Sequence, residues 1–367
     1  MSILSKTFIA TSLCALVAAG AAHADETAPL KGGRIGYVVA DAHFSVYQTA
    51  DGKAECPQGL NPHGPREIFK ALWPAGGKME DTILVREGLN SFPADHPAQF
   101  PYIETTGNTA LGLNLDGKVG PKDFTSPDGE KGIDNAFYRV TGCNTGFRGP
   151  DGQVQLFASK FLRGFQYNRM MIEISGVDSL ADDPSVDVTI MRGRDPILLD
   201  ATGEKAAPGG SQRVDERYGK PLIQQLKGKI EGGVLITEPE KDITWAWQIE
   251  GGHPRALHIR DMRLRLSLTS TKADGLMGGY FDVSTLLDWT NGYATHHLAY
   301  DRLDSPEFYW AMRRVADAYP DPKTGENTAL SSAITLNMTQ VFIQHPEEAA
   351  GKQVASEQQP SQTPAER

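Results

Sequence analysis

The segment LHIRDMRLRLSL, residues 257–268, alternates apolar and polar side chains along its second half. The alternating positions are Leu264, Leu266 and Leu268 on one face and Arg263, Arg265 and Ser267 on the other. Successive side chains of a β-strand point to opposite faces, so a period of two indicates one buried face and one wet face. The segment therefore predicts an antiparallel strand with one face packed on a β core and one face in solvent.

More strands of this kind are predicted before and after that segment. They lie at residues 170–175, 186–191, 244–249 and 334–343. These runs are rich in β-branched, aromatic and other apolar residues, and turn-forming Asp-Pro and Gly-Gly pairs lie between several of them. Short strands at such spacing are typical of an antiparallel sandwich. We therefore expect a mostly β protein with a β-sandwich-like domain over residues 151–346.

The region before that domain, residues 25–150, is rich in proline and glycine and is expected to be turn-rich. It includes a first predicted strand at 32–39 and a short predicted helix at 65–72, where a proline suits the first helical position. Residues 134–143 fit either a short helix or a strand.

A second helix is predicted at 305–319, near the end of the β domain. Ser305-Pro306-Glu307 offers an N-cap, a first-turn proline and an early acid, and Pro320 is expected to stop the helix. Phe308, Met312 and Tyr319 then fall near one face.

The two ends of the chain are expected to lie outside the fold. Residues 1–24 have one charge, Lys6, an apolar run and then small residues, which is the order of a secretory signal peptide. The apolar run is too short for a transmembrane anchor, so we expect a periplasmic or secreted protein. Residues 347–367 consist mainly of Glu, Gln, Ala, Ser and Pro and are expected to form a disordered tail.

Removal of such a signal leaves two cysteines, Cys56 and Cys143. In an oxidising compartment a lone pair usually forms a disulfide bond, and two separate buried thiols are the alternative. The formal net charge of −10 argues against nucleic acid as a partner, because nucleic-acid binding requires basic patches.

The segment LGLNLDGKVGPKDFTSPDGEKGIDN, residues 111–135, gathers many oxygen-bearing side chains and few that can pack. Counted over twelve positions from Gly112, it has Asn114 at position 3, Asp116 at 5, Gly117 at 6, Lys118 at 7 and Asp123 at 12. An EF-hand-type calcium loop takes oxygens at 1, 3, 5, 7 and 12, with glycine at 6 and a backbone carbonyl at 7. Residues 112–124 therefore resemble a dockerin-type calcium loop.

That resemblance implies a structural Ca²⁺ ion, but position 1, normally an aspartate, is Gly112. Calcium requires about six to eight oxygens, so the later acidic residues of the segment would have to complete the shell. The predicted ligands are Asn114, Asp116, Lys118, Asp123, Asp128 and Asp134. The alternative is a loop that keeps the turn without the ion. Only one such loop is present, so docking to a cohesin-type partner is not implied.

No nucleophile elbow, zinc-binding His-Glu-x-x-His motif, phosphate loop or dinucleotide fingerprint occurs in the chain. Tryptophans at 245, 247 and 289 are candidates for a sugar-stacking platform, although such residues more often pack in a sandwich core. The histidines at 253, 258, 296 and 297 are weak candidates for a site, and those at 63 and 96 are expected in solvated loops. No catalytic residue is assigned.

We therefore expect an exported, calcium-stabilised binding or accessory protein of the cell envelope, with a glycan or an envelope protein as partner. Its binding surface is expected on the β part between residues 153 and 271. The alternative is a secreted, glycan-directed hydrolase on the same scaffold, with Glu231, Glu238 and Glu250 as candidate carboxylates.

Overall fold

The computed structural model describes residues 30, 32–61, 75–76, 84–87, 90–93, 102–149, 152, 169–216, 222–250, 253–290 and 305–346. Several expectations concern residues outside this part of the chain: the signal peptide, the helix at 65–72, the tail at 347–367 and the histidines at 63, 96, 296 and 297.

Strands account for most of the regular structure. They are β1 (Arg34–Phe44), β2 (Leu84–Glu87), β3 (Asn90–Pro93), β4 (Phe124–Thr125), β5 (Lys131–Ile133), β6 (Met170–Ser175), β7 (Asp183–Arg192), β8 (Gly210–Arg213), β9 (Gln224–Glu231), β10 (Val234–Thr237), β11 (Ile243–Glu250), β12 (His253–Leu268), β13 (Lys272–Asp282), β14 (Ala318–Pro320) and β15 (Asn327–Gln344). The predicted strands at 170–175, 186–191, 244–249, 257–268 and 334–343 all lie within these elements.

The helices are few and short: α1 (Ala136–Thr141), α2 (residues 283–290) and α3 (Ser305–Val315), with a 3-10 turn at Thr145–Phe147. Residues 134–143, which fitted either a helix or a strand, contain helix α1. The Asn135 side chain accepts a hydrogen bond from the Tyr138 amide and caps this helix. The predicted extension of α3 to residue 319 is wrong. Tyr319 has a φ of 57°, which no α-helix contains, and it lies in β14.

The core of the protein is a closed antiparallel β-barrel of eight strands, in the order β1-β6-β7-β9-β10-β12-β13-β15. β15 pairs with β13 on one side and with β1 on the other, so the sheet has no free edge along this path. The predicted mostly β fold is confirmed, but the predicted sandwich is wrong. Alternating side chains bury one face in both architectures, and only the pairing of β1 with β15 distinguishes them.

An aromatic cluster fills the barrel at the end where β1 and β13 finish. Phe44 lies 4.8 Å from Phe137, 5.5 Å from Trp289 and 6.4 Å from Phe281, measured between ring centroids. Helices α1 and α2 supply two of these rings and so cover this end of the core. Trp245 and Trp289 are 2% and 1% exposed, so both tryptophans pack in the core and neither belongs to a surface platform.

The predicted disulfide between Cys56 and Cys143 is present, with a Cα–Cα distance of 5.6 Å. It ties residues after β1 to the end of α1, and both cysteines are buried. A salt bridge of 2.8 Å between Glu55 and Arg148 lies beside it. Burial alone raises the pKa of Glu55, but hydrogen bonds from Arg148 and Thr49 outweigh burial and lower it.

Helices that could cross a membrane are absent from the part of the chain described above.

Candidate functional site

The acidic segment, residues 111–135, lies against the outside of strands β12 and β13. Leu113 and Leu115 are buried, and Leu113 occupies the space beside Gly278 of β13. Arg263 of β12 donates a hydrogen bond of 2.9 Å to the Leu115 carbonyl oxygen. Arg265 forms a bidentate ion pair with Glu130, with distances of 2.8 Å from Nη1 to Oε2 and 3.2 Å from Nη2 to Oε1. The segment is therefore fixed to the barrel by apolar contacts on one side and by two arginines on the other.

The first half of the segment forms the turn that the calcium-loop register predicts. The Asn114 side-chain oxygen accepts a hydrogen bond of 2.7 Å from the Gly117 amide, and Asp116 accepts one of 2.8 Å from the Lys118 amide. The Asn114 amide nitrogen lies 2.9 Å from the Lys118 carbonyl oxygen. Gly117 has a φ of +74°, a conformation that favours glycine at this position. The side-chain oxygens of Asn114 and Asp116 and the Lys118 carbonyl oxygen therefore all accept hydrogen bonds within one turn.

Asp134 enters this turn from the other end of the segment. A β-bridge between Leu113 and Asp134 brings the two halves together. Oδ2 of Asp134 then accepts hydrogen bonds of 2.6 Å from the Leu115 amide and 3.4 Å from the Asp116 amide. Position 1 of the loop, Gly112, has no room for a side chain, because a Cβ there would lie 2.8 Å from Ile133. Asp134 thus presents a carboxylate where the loop itself has none.

The electrostatics of Asp134 reflect these neighbours. Burial, followed by the charges of Asp116 and Asp123, raises the pKa of Asp134 to about 6, although the hydrogen bond from Leu115 opposes the shift. The negative charges of Asp116 and Asp123 therefore oppose ionisation of Asp134. A bound cation would relieve that repulsion.

The remaining predicted ligands differ in placement. Asp123 lies in the segment's middle and accepts a hydrogen bond from the Gly120 amide. Asp128 is exposed in the turn between β4 and β5, and no hydrogen bond among the described residues joins it to the other predicted ligands. No group of three or more His, Cys, Asp or Glu side chains in this part of the chain has the spacing of a metal site. The assembled donors are instead mixed: carboxylates, one side-chain amide and one backbone carbonyl.

A second candidate site is a cavity of about 450 Å³ beside α2 and β14, which we call the polar pocket. Its lining residues are Arg260, Asp282, Ser284, Arg313, Tyr319, Pro320, Asp321, Pro322 and Thr328. Four of these nine residues carry a formal charge, two of each sign.

Two strained residues lie at the polar pocket: Tyr319 lines it, and Asp261 contacts Tyr319. Asp261 and Tyr319, with φ values of 49° and 57°, are the two non-glycine residues with positive φ in the described chain. They contact each other, since the Tyr319 hydroxyl donates a hydrogen bond of 2.6 Å to Asp261. Burial, followed by that hydrogen bond, raises the pKa of Tyr319 to about 12. Such conformations cost of order 1–3 kcal/mol each and cluster at functional sites.

Arg260, which precedes the strained Asp261, faces the polar pocket. Its guanidinium lies 4.5 Å above the centroid of the Tyr319 ring, and its Nη2 lies 3.8 Å from Asp282. The other oxygen of Asp282 is used to cap α2, because it accepts hydrogen bonds of 3.0 Å from the Ser284 and Thr285 amides.

Of the three carboxylates proposed from the sequence, the two with described side chains are both exposed. Glu231 is exposed at the end of β9 and pairs with Lys229 at 2.6 Å, whereas Glu238 is exposed after β10. The side chains of Glu250 and His253 lie outside the described atoms. His258 is part-exposed and lies 3.7 Å from Asp242.

The residues of the polar pocket are not predicted from the sequence, although one signal is present. In the segment 257–268, the apolar positions are odd-numbered up to Ile259 and even-numbered from Met262 onward. That change of phase marks the β-bulge between Arg260 and Arg263, where the pairing of β12 with β13 shifts.

No protein-family model, curated protein or solved structure matches this chain. Function is therefore inferred from the geometry of these two sites.

Proposed function

We propose that this chain is an exported, calcium-stabilised binding or accessory protein of the cell envelope. The observation that carries the proposal is the Asp134 carboxylate, which reaches the amides of Leu115 and Asp116 in a loop that has no acid at its first position. In calcium loops the first-position aspartate supplies an essential ligand. Asp134 takes that role from outside the loop.

The donor set fits calcium better than other ions. Asn114, Asp116, the Lys118 carbonyl, Asp123 and Asp134 are all oxygen donors, as hard cations require. Calcium accepts six to eight oxygens with irregular geometry, and Asp128 or water would complete its shell. Magnesium demands a tighter octahedron, and zinc prefers nitrogen and sulfur donors. The ion would balance the three carboxylates and order the segment.

A structural ion supports a binding role, because calcium on such a loop fixes backbone and offers no redox chemistry. The proposed location is consistent with the disulfide between Cys56 and Cys143, which indicates an oxidising, extracytoplasmic compartment. Within such a compartment, we propose that the protein is periplasmic or secreted and that its partner is a glycan or an envelope protein.

The alternative, a glycan-directed hydrolase, is favoured by one observation: Asp282 and Asp321 both line the polar pocket. Glycosidases require one carboxylic acid with a raised pKa to protonate the leaving group. Hydrogen bonds from the Lys323 and Thr324 amides instead lower the pKa of Asp321. The pair therefore suits binding better than acid catalysis.

A turnover screen separates these two functions. The purified protein with calcium is assayed against chromogenic glycan, ester and phosphoester substrates. We expect no turnover above a blank, and we expect chelator to lower stability before it weakens ligand binding. Clear turnover that disappears in Asp282→Asn, Asp321→Asn, Glu231→Gln, Glu238→Gln or Glu250→Gln would replace the binding function by the hydrolase.

A further inference from the structure

We propose that the polar pocket binds a neutral polyhydroxyl ligand of one or two sugar rings, an inference that rests on the proposed binding function and gives it a place and a ligand class. The pocket is formed by β12, β13, α2, α3 and the β14–β15 connection, and none of its lining residues belongs to the acidic segment.

Arg260 presents hydrogen-bond donors to the pocket. Its side chain is 32% exposed, and within the described residues its guanidinium makes no hydrogen bond shorter than 3.5 Å. The Tyr319 ring beneath the Arg260 guanidinium and the Asp282 carboxylate beside it hold the guanidinium plane in place. A guanidinium has five N–H donors in a fixed fork, so Arg260 offers a preorganised set of donors to oxygen atoms in the pocket.

Positive and negative charges are equal in number in the pocket lining, and further carboxylates contact it. The lining contains two arginines and two aspartates, and Asp261 and Glu326 contact the lining residues Tyr319 and Arg313. Arg313 is engaged by Glu326 and by the Asn327 carbonyl, both at 2.7 Å. A free anion would gain from Arg260 but would be repelled by these carboxylates. A sugar hydroxyl both donates and accepts, so it can use guanidinium and carboxylate groups side by side.

The connection that lines the pocket is held rigidly by its own hydrogen bonds. Asp321 accepts hydrogen bonds of 2.7 and 3.0 Å from the Lys323 and Thr324 amides, and Thr328 donates one of 2.7 Å to the Tyr319 carbonyl. These bonds fix the backbone that presents the apolar faces of two prolines, at 320 and 322, to the pocket. A rigid polar site loses little entropy on binding, and the volume lies within the range of about 300–1,000 Å³ that is typical of small-molecule pockets.

The test is a calorimetric titration of the calcium-loaded protein with glucose, galactose, mannose, maltose and cellobiose, with inorganic phosphate and glutamate as charged probes. We expect at least one neutral sugar to bind, with an affinity that changes little between about 0.05 and 0.5 M salt. Arg260→Met should weaken that binding about 10- to 100-fold, because hydrogen bonds to a charged group are lost.

Two further variants make the test decisive. Arg213→Met is the matched control, because Arg213 of β8 forms an exposed ion pair with Asp195 and does not line the pocket, and it should bind within about twofold of the wild type. If Arg260→Met does not fold, Arg260→Lys keeps the charge beside Asp282 and the stacking on Tyr319 but removes the planar fork, and it too should bind more weakly.

Each contrary result has a distinct meaning. If phosphate or glutamate binds and no neutral sugar does, the proposed ligand class is wrong. If none of the probes binds, the pocket is not the proposed binding site. Sugar binding that Arg260→Met and Arg260→Lys leave unchanged overturns the pocket as its location while the binding function stands. Turnover in the screen described above overturns the binding function instead.

Discussion

Replacing Asp134 by asparagine should stabilise the calcium-free protein at neutral pH and abolish its response to calcium. Folding raises the pKa of this carboxyl from 3.8 to about 6, so the folded state binds the proton more tightly than the unfolded chain does. Ionisation therefore opposes folding. The cost is absent below about pH 4, grows as the pH rises towards 6, and is complete above it.

The size of the effect follows from the same pKa. A change from 3.8 to about 6 corresponds to an upper limit of about 3 kcal/mol, at 1.36 kcal/mol for each tenfold change in proton affinity. The carboxyl is only about half-buried, so solvent screening reduces the expected cost to about 1–2 kcal/mol. The asparagine side chain of the variant would keep an oxygen for the Leu115 amide and remove the charge.

Urea denaturation at pH 7.5 and pH 4.5, in chelator and in calcium, measures this effect. In chelator, Asp134→Asn should be about 1–2 kcal/mol more stable than wild type at pH 7.5, and about a third of that gain should remain at pH 4.5. In calcium at pH 7.5 the order should reverse. Asp128→Asn, an exposed aspartate of the same segment, is the matched control and should show no gain in chelator. If Asp134→Asn is less stable than wild type in chelator at pH 7.5, the carboxylate does not oppose folding and this interpretation is wrong.

Three further outcomes are expected. Gly132→Ala should destabilise the acidic segment and weaken calcium binding, because a Cβ at this position would overlap the Lys118 carbonyl oxygen and φ is +77°; thermal denaturation with and without calcium measures both effects. Removing the disulfide by Cys56→Ser with Cys143→Ser should cost about 4 kcal/mol in urea denaturation, since the bond closes a loop with a sequence separation of 87. Phe44→Ala should cost about 3–5 kcal/mol in the same assay, because it empties the centre of the aromatic cluster.

The strands of the barrel could be predicted from local pattern, but the closure of the barrel could not. Segments 170–175, 257–268 and 334–343 each carry an alternation or a β-rich composition that identifies a strand. Closure depends on Gly36 pairing with Val341, about three hundred residues away. Nothing in the sequence of either strand specifies its partner. The same alternation of apolar and polar residues is therefore expected in a sandwich and in a barrel.

The two candidate sites also differ in how much of each could be predicted from the sequence. The register of Asn114, Asp116 and Asp123 is local, so the acidic segment could be proposed as a calcium loop from the sequence. The placement of Asp134 beside that register depends on its bridge to Leu113, which only the fold establishes. The polar pocket joins residues from β12, α2 and β14, and its one local signal is the phase change around residue 261.

The extension of α3 failed for a related reason. A helical pattern continues to Tyr319 in the sequence, but the Tyr319 hydroxyl bonds to Asp261 on a strand that lies far away in the chain. The chain leaves the helix after Val315 and pairs with β15 as β14, where Tyr319 lies in the left-handed region.

Whether calcium holds this protein together is decided by thermal denaturation of the wild type and Asp116→Ala in excess calcium and in excess chelator at pH 7.5. An ion at about 100 times its dissociation constant stabilises the folded state by about 2.7 kcal/mol, so calcium should raise the wild-type Tm by several degrees. Asp116→Ala should melt at the same temperature in both conditions. A wild-type protein that melts identically in calcium and in chelator would show that the segment is a turn without an ion and would overturn the proposed calcium site.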